Sequence, residues 1–128
     1  MIIADTDVLI DFLSDSGAAP RVAREFEAGN LATTVISRIE LLVAAGDALQ
    51  QRLVLDLLDM APSLPLDSGS ANRAVALRIL LEEAGTPIRL ADYLIAGIAL
   101  QHRAPLLTRN RAHFERIGNL TLVDPYES

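Results

Sequence analysis

Five short aliphatic runs, each separated from the next by a stretch with a helical pattern, constrain the fold of this chain most strongly. The runs lie at residues 2–5, 31–34, 63–66, 105–108 and 120–123. Short aliphatic strands are typical of a parallel sheet whose two faces are both covered. Strands that alternate with helices build such a sheet through right-handed crossovers. We therefore predict an α/β fold with a central parallel sheet of about five strands.

The helical segments between these runs have recognisable ends. Pro20 begins a helix that stops at Gly29, and Asp67 or Ser68 caps a long helix that ends near Gly85. No repeat, low-complexity stretch or linker interrupts the 128 residues, so we expect one domain over residues 1–128. The other predicted helices cover residues 7–15, 37–45, 48–61, 89–103 and 110–117.

Composition excludes several classes of protein. The chain has no cysteine, which excludes disulfide scaffolds, thiolate metal sites and thiol catalysis. A net charge of -6 argues against holding nucleic acid by bulk electrostatics, although a few arginines and a metal ion would still suffice for an enzyme. No apolar run approaches the roughly 18 residues of a membrane helix, and we see no signal peptide. We expect a cytoplasmic protein that does not enter a membrane.

Four polar side chains are predicted to meet at one edge of the sheet. Asp5 ends the first strand and Asn110 follows the fourth. Glu40 and Asp92 each lie in the first turn of a predicted helix. Ligands of parallel α/β sheets bind outside the carboxyl ends of the strands. The four residues are therefore the predicted functional site.

Each of the three carboxylates also has a purely structural explanation. Asp5 could cap the helix that follows it, and Glu40 completes an S-x-x-E capping box with Ser37. Asp92 would be favoured by the helix dipole by ~0.3–1 kcal/mol. Asp5 ends a buried strand and Asp92 lies in a very apolar helix, so we predict functional roles for both. For Glu40, capping and function can coexist.

Four further polar residues were assigned from their surroundings. Asp11 lies opposite the apolar face of its helix, so we expect it to be solvated. Asp7 is open between a helix cap and a role beside Asp5. His102 and His113 lack the spacing of metal ligands, and we expect both at the surface.

Clustered carboxylates require a cation. Two unit charges ~4 Å apart repel by ~4 kcal/mol at an effective dielectric constant near 20. Oxygen ligands without His or Cys are typical of Mg²⁺ or Mn²⁺ sites. These ions typically serve phosphate chemistry, in which they activate water and stabilise the leaving oxygen.

The sequence resembles the PIN-domain ribonucleases, and in particular the VapC toxins of bacterial toxin–antitoxin pairs. The resemblance rests on IIADTDVLIDFL at the start, ISRIELLVAAG around Glu40, RLADYLIAGIALQHRAPLLTRN around Asp92 and TRNRAHFERIGNLTLV near the end. These segments match in order and spacing over nearly the whole chain. No one of them is specific alone.

The resemblance implies a three-layer α/β/α fold and cleavage of RNA that depends on Mg²⁺ or Mn²⁺. By matching positions, Asp5, Glu40 and Asp92 would bind the metal and activate water, and Thr6 and Thr108 would orient these carboxylates. The family's fourth acidic position falls at Asn110 or His113, neither of which is acidic, so we expect one tightly held ion at most. The family usually has Asn or Ser where this chain has Asp7, which leaves that residue between an extra ligand and a cap.

The resemblance also implies protein partners. It implies a homodimer and a complex with a cognate VapB-type antitoxin, whose C-terminal segment would lie in an apolar groove and often delivers an arginine to the acidic pocket. We place this groove at the helices of residues 37–61. Their apolar stripes, interpreted mainly as core with some surface shared with a partner, comprise Leu41, Leu42, Ala45, Leu49, Leu53, Leu57 and Met60.

Three other classes of protein share part of this sequence pattern. A receiver-type signalling domain would also be an acidic, Mg²⁺-binding α/β domain, with Asp67 as its phosphate acceptor, but it needs a lysine and this chain has none. A haloacid-dehalogenase-like phosphatase, suggested by the sequence from Asp5 to Asp7, needs one as well. A PIN domain that binds RNA or a partner without cleavage stays open, because Asn110 is not acidic.

Overall fold

The structure, a computed structural model, describes residues 1–126. Within that range five strands alternate with seven helices. The strands are β1 (Ile2–Ala4), β2 (Leu31–Thr34), β3 (Ser63–Leu64), β4 (Leu106–Leu107) and β5 (Leu122–Val123). The helices are α1 (Thr6–Leu13), α2 (Ala19–Glu27), α3 (Val35–Ala44), α4 (Ala48–Leu58), α5 (Ser68–Glu83), α6 (Leu90–His102) and α7 (Arg111–Phe114).

The five strands form a parallel sheet in the order β3-β2-β1-β4-β5. The chain first builds one side of β1 and then crosses to the other, so the strand order reverses between β1 and β4. A crevice forms at such a switch point, outside the carboxyl ends of the strands. The receiver-type order is 2-1-3-4-5. The observed order therefore excludes the receiver alternative.

Side chains of the strands alternate between two hydrophobic cores, which makes the fold three-layered. Ile3 and Leu106 face the core formed with α5, α6 and α7. Ala4 and Leu107 face the core formed with α1, α2 and α4. Consecutive residues of a strand point to opposite faces of the sheet, so both faces of these short strands are covered. The predicted α/β/α fold is confirmed.

Four strands are shorter than predicted: β1 ends at Ala4, one residue early, β4 is reduced to Leu106–Leu107, and β3 and β5 each lose two residues. The strand predicted at residues 63–66 ends at Leu64, because Pro65 has no N–H to donate to a neighbouring strand. The strand predicted at residues 120–123 begins at Leu122, because the Leu120 N–H instead donates to the Ile117 carbonyl and closes a turn.

The apolar stripes of α3 and α4 are only partly core. Leu41 and Leu57 are buried, as predicted. Leu49, Leu53 and Met60 are 70%, 50% and 52% exposed, so the interpretation of these three as core is wrong. Leu49 and Leu53 lie on α4 and Met60 lies two residues after its end, and together they leave apolar surface in water. No helix among the described residues is long and apolar enough to span a membrane.

Candidate active site

Asp5 occupies the crevice at the switch point. It follows β1 directly, is the N-cap residue of α1 and is only 3% exposed. Its Oδ1 accepts a hydrogen bond from the Thr6 N–H at 2.8 Å, and its Oδ2 accepts one from Thr108 Oγ1 at 2.8 Å. Burial, and next the charge of Asp7, raise the pKa of Asp5 to about 7. Two hydrogen bonds therefore fix this carboxylate in position, and its burial disfavours the charged form.

Glu40 approaches the same crevice from α3. The N-cap of this helix is Thr34, whose Oγ1 accepts the Ser37 N–H at 3.1 Å, so Ser37 lies inside the helix. Glu40 is consequently in the second turn, and both the predicted first-turn position and the capping box are wrong. Its Oε1 accepts a hydrogen bond from Thr6 Oγ1 at 2.7 Å. Because Thr6 uses its only hydroxyl proton there, the Ser37 hydroxyl donates to Thr6 Oγ1 at 2.8 Å.

Asp92 is the most deeply buried of the three predicted carboxylates, at 1% exposure. It lies in the first turn of α6, as predicted. Its Oδ1 is 3.3 Å from Arg89 Nη2, and its Oδ2 is 3.0 Å from His113 Nδ1. Arg89 Nη2 is also 3.7 Å from Glu40 Oε2. A guanidinium therefore bridges the carboxylates of α3 and α6.

Asp7 and Asn110 line the side of the crevice next to β4. Asp7 Oδ2 accepts the Arg109 N–H at 2.9 Å, and burial raises the pKa of Asp7. Its Oδ1 is buried without a hydrogen-bond partner among the described residues. The Asn110 N–H donates to Thr108 Oγ1 at 3.0 Å, which holds the hydroxyl that contacts Asp5. The Asp7 carboxylate thus contacts the chain after β4 and does not cap α1, whose N-cap is Asp5. Whether its Oδ1 contacts a ligand stays a prediction.

The prediction that Asp11 is solvated is wrong. Asp11 is buried, and its Oδ2 accepts the Ala18 N–H at 2.9 Å and lies 2.8 Å from Arg109 Nε. The face of α1 opposite the sheet is covered by the turn before α2. Gly17 allows this coverage, because its φ is +50° and a Cβ there would collide with the Asp11 carboxylate.

Sequence reasoning missed the basic partners of the acidic side chains. Arg89, His113 and Arg109 all contact predicted or neighbouring carboxylates. His113 was expected at the surface. It is largely exposed, but its Nδ1 still contacts Asp92, whereas His102 is exposed as predicted. One signal was available, since Arg89 lies three residues before Asp92, a spacing that brings side chains together at a helix start.

The donor chemistry of the crevice suits a hard divalent cation. Asp5, Glu40 and Asp92 supply only oxygen ligands, and within the described residues the buried Asp7 Oδ1 has no hydrogen-bond partner. Within residues 1–126, however, no group of three or more carboxylate or imidazole side chains is arranged to hold a metal ion. The cationic group that the structure shows between Glu40 and Asp92 is the Arg89 guanidinium. The roles of these residues in metal binding and catalysis stay a prediction.

Comparison with protein families matches residues 2–120 to the PIN domain. The chain belongs to the PIN-domain family. It is 35% identical over 86 residues to ribonuclease VapC5 of Mycobacterium tuberculosis (strain ATCC 25618 / H37Rv), a match that covers 62% of this chain and 64% of that protein, less than two thirds of its length. It is 25% identical over 124 residues to the tRNA(fMet)-specific endonuclease VapC of Shigella flexneri, with 94% of each chain covered.

Solved structures agree with this assignment. A toxin–antitoxin complex from Klebsiella pneumoniae contains a chain that superimposes on this PIN domain with a TM-score of 0.80. The two chains are 29% identical, and the superposition covers both completely. The predicted resemblance to PIN domains of the VapC type is confirmed.

Proposed function

We propose that this protein is a metal-dependent endoribonuclease of the VapC type, a toxin that cleaves cellular RNA and is neutralised by a cognate antitoxin. One observation carries the proposal. Asp5, Glu40 and Asp92 approach one another at the switch point of a PIN fold, linked through Thr6 and Arg89. The relatives named as VapC ribonucleases support the reaction type.

The side chains of the crevice have distinct roles in this reaction. Asp5, Glu40 and Asp92 would hold Mg²⁺ or Mn²⁺, which when bound supplies an activated water and stabilises the leaving oxygen of a phosphodiester. The Thr108 hydroxyl orients Asp5, and the Thr6 hydroxyl orients Glu40. Burial raises the pKa of Asp5 to about 7, so its carboxyl group is largely protonated below that pH. This proton must leave before the carboxylate can bind a cation.

Asn110 would support this arrangement without adding charge. Its backbone N–H holds Thr108, and the family's fourth acidic position falls at Asn110 or His113, neither of which is acidic, so we propose one tightly bound ion in the absence of RNA. Attack of water on the phosphorus would leave a 5′-phosphate and a 3′-hydroxyl end.

An apolar groove supports the antitoxin part of the proposal. A cavity of about 450 Å³ lies between α1, α3 and α4 and is lined by Ile10, Leu13, Leu41 and Leu53, among others. Ile10 and Leu53 are 48% and 50% exposed, which leaves a row of apolar side chains in water beside the cavity. An amphipathic segment of a VapB-type antitoxin would bury them. We also propose a homodimer, a toxin–antitoxin hetero-oligomer and a cytoplasmic location.

A PIN domain that binds RNA without cleaving it is the second candidate function. It is favoured by the contacts of Asp92, both of whose oxygens already have protein partners in Arg89 and His113. A site of this kind would hold RNA but would not hydrolyse it. Cleavage of RNA by the purified protein separates the two functions.

Expression in a bacterial host tests the proposed function. We expect induction of the wild-type protein to arrest growth and to generate new RNA 5′-phosphate ends, mapped by sequencing of RNA ends. The D92N variant should relieve the arrest, and so should co-expression of a small antitoxin encoded directly upstream. Growth arrest that persists in the D5N–D92N double variant, with the same new RNA ends, would refute the assignment of the site.

A further inference from the structure

Arg89 is the one basic side chain that joins two of the predicted metal ligands within the described residues. It is the N-cap residue of α6, three positions before Asp92. Its Nη2 is 3.3 Å from Asp92 Oδ1 and 3.7 Å from Glu40 Oε2. The charges of Asp92, Glu40 and Asp5 all stabilise the positive charge of this guanidinium. Arg89 therefore supplies the positive charge that the acidic crevice needs when no metal is bound.

The three side chains that form this bridge differ greatly in solvent exposure. The side chains of Asp92 and Glu40 are 2% and 26% exposed, whereas that of Arg89 is 61% exposed. The carboxylates are thus fixed by their surroundings, and the guanidinium reaches them from solvent. Ion pairs with such an exposed partner contribute on the order of 1 kcal/mol or less. Arg89 can rotate away from the site at little cost.

A divalent cation and this guanidinium cannot share the same carboxylate oxygens without repulsion. A cation bound by Glu40 and Asp92 would lie within a few ångströms of Arg89 Nη2, because that nitrogen is in contact with both. A divalent cation ~4 Å from a guanidinium is repelled by about 2 kcal/mol even in bulk water, twice the value for two unit charges. The metal therefore binds more favourably once Arg89 has left the carboxylates.

The space available to the displaced side chain lies beside the crevice. A cavity of about 320 Å³ is lined by Pro87, Ile88, Arg89 and His113. His113 Nδ1 stays on the other oxygen of Asp92, so this carboxylate keeps its orientation when Arg89 departs. At the rim of this cavity the guanidinium would meet the phosphate backbone of an RNA strand that enters the crevice.

We propose that Arg89 is a positioning residue that occupies the metal site as a built-in cation, yields it to a divalent ion and then contacts RNA phosphate. This inference rests on the proposed function. It predicts that loss of the guanidinium strengthens metal binding and weakens RNA binding, two effects of opposite sign. A purely structural role for Arg89 would weaken both.

Binding of Mn²⁺ to the purified wild-type, R89Q and R89K proteins tests the inference, measured by the electron paramagnetic resonance signal of free Mn²⁺. We expect R89Q to bind Mn²⁺ about fivefold tighter than wild type, with R89K between them because it retains a charge. The control R78Q removes an exposed arginine that pairs with Glu82, and it should bind Mn²⁺ as wild type does. In RNA cleavage, R89Q should show a raised KM.

The outcomes separate this inference from the function on which it rests. Unchanged or weaker Mn²⁺ binding by R89Q, with a thermal unfolding midpoint equal to that of wild type, would overturn the role of Arg89 alone. If neither the wild-type nor the R89Q protein binds Mn²⁺ at millimolar concentration, the proposed metal-dependent function fails together with it.

Discussion

Asp5 links the carboxyl ends of two adjacent strands, and its burial favours the protonated form of its side chain. Its Oδ2 accepts the hydroxyl of Thr108, which follows β4, and its Oδ1 accepts the N–H that begins α1. Burial is the largest cause of its raised pKa, and the neighbouring Asp7 adds to it. A carboxyl group in this state favours the neutral form until a cation arrives. A cation bound at Asp5 would lower this pKa and favour the charged form.

The raised pKa of Asp5 predicts a pH dependence of stability in the metal-free protein. The pKa rises from 3.8 to about 7 on folding, so between these values the folded state binds a proton that the unfolded chain has released. Stability from this group is fully present below about pH 4 and is lost as the pH rises through about 7. We expect D5N to gain stability relative to wild type over this window, on the order of a few kcal/mol.

Urea denaturation of both proteins in EDTA, at several pH values from 4 to 8, measures this difference. D56N is the matched control, because Asp56 forms an exposed ion pair with Arg52 and should show no such trend. A difference between D5N and wild type that stays constant across the pH range would contradict the raised pKa.

Asp11 is a structural residue, and its removal should be costly. Its carboxylate receives both the Ala18 N–H and the Arg109 guanidinium in a buried position. We expect D11A to lower the free energy of unfolding by about 2–3 kcal/mol, since charge-assisted bonds are lost and a buried N–H is left unpaired. Urea denaturation measures the effect. D56A should change stability by less than about 1 kcal/mol, and a D11A value as small as that would show that Asp11 is solvated.

At the level of elements, α5 and α6 pack with little space between their backbones. A Cβ at Gly97 would lie 2.5 Å from the Ser70 carbonyl oxygen and 3.1 Å from the Ala74 Cβ. Neither atom can move without shifting α5. The glycine therefore sets the distance between the two helices.

Replacement of Gly97 by alanine should destabilise the protein. The clash costs about 1–3 kcal/mol, and the better helix propensity of alanine recovers ~1 kcal/mol of that. We expect a net loss of about 1–2 kcal/mol in thermal or urea unfolding. G118A is the control, since a Cβ at Gly118 meets nothing within 4 Å. A G97A protein as stable as wild type would show that the helices can separate freely.

The order of strands and helices was predictable, but the registers of some helices were not. Aliphatic runs and stop residues located every element within a few residues. The start of α3 was misplaced because Thr34, the last residue of β2, caps the helix with its own hydroxyl. Ser37 has the same capping chemistry as Thr34, but it lies in the first turn of α3 and not at its start. Choosing between two such residues requires knowledge of where the strand ends.

At the level of the whole molecule, the position of Asp5 followed from topology. Parallel strands bring their carboxyl ends to one edge, where Asp5 lies, while the grouping of Asp5, Glu40, Asp92 and Asn110 as a functional site stays a prediction. The basic partners were not predictable in this way. Arg109 and His113 reach carboxylates on other elements through side-chain directions that no local pattern encodes. The single-domain organisation over residues 1–128 stays a prediction.

We propose that the acidic crevice of this PIN domain cleaves RNA with the help of a divalent cation. The most direct test is the initial rate of cleavage of cellular RNA by the purified protein in Mg²⁺ or Mn²⁺, compared with D5N, D92N and the control D56N. We expect cleavage by wild type and D56N that EDTA abolishes, and a loss of more than about 100-fold in D5N and in D92N. Cleavage at the wild-type rate by a folded D5N–D92N double variant would contradict the claim.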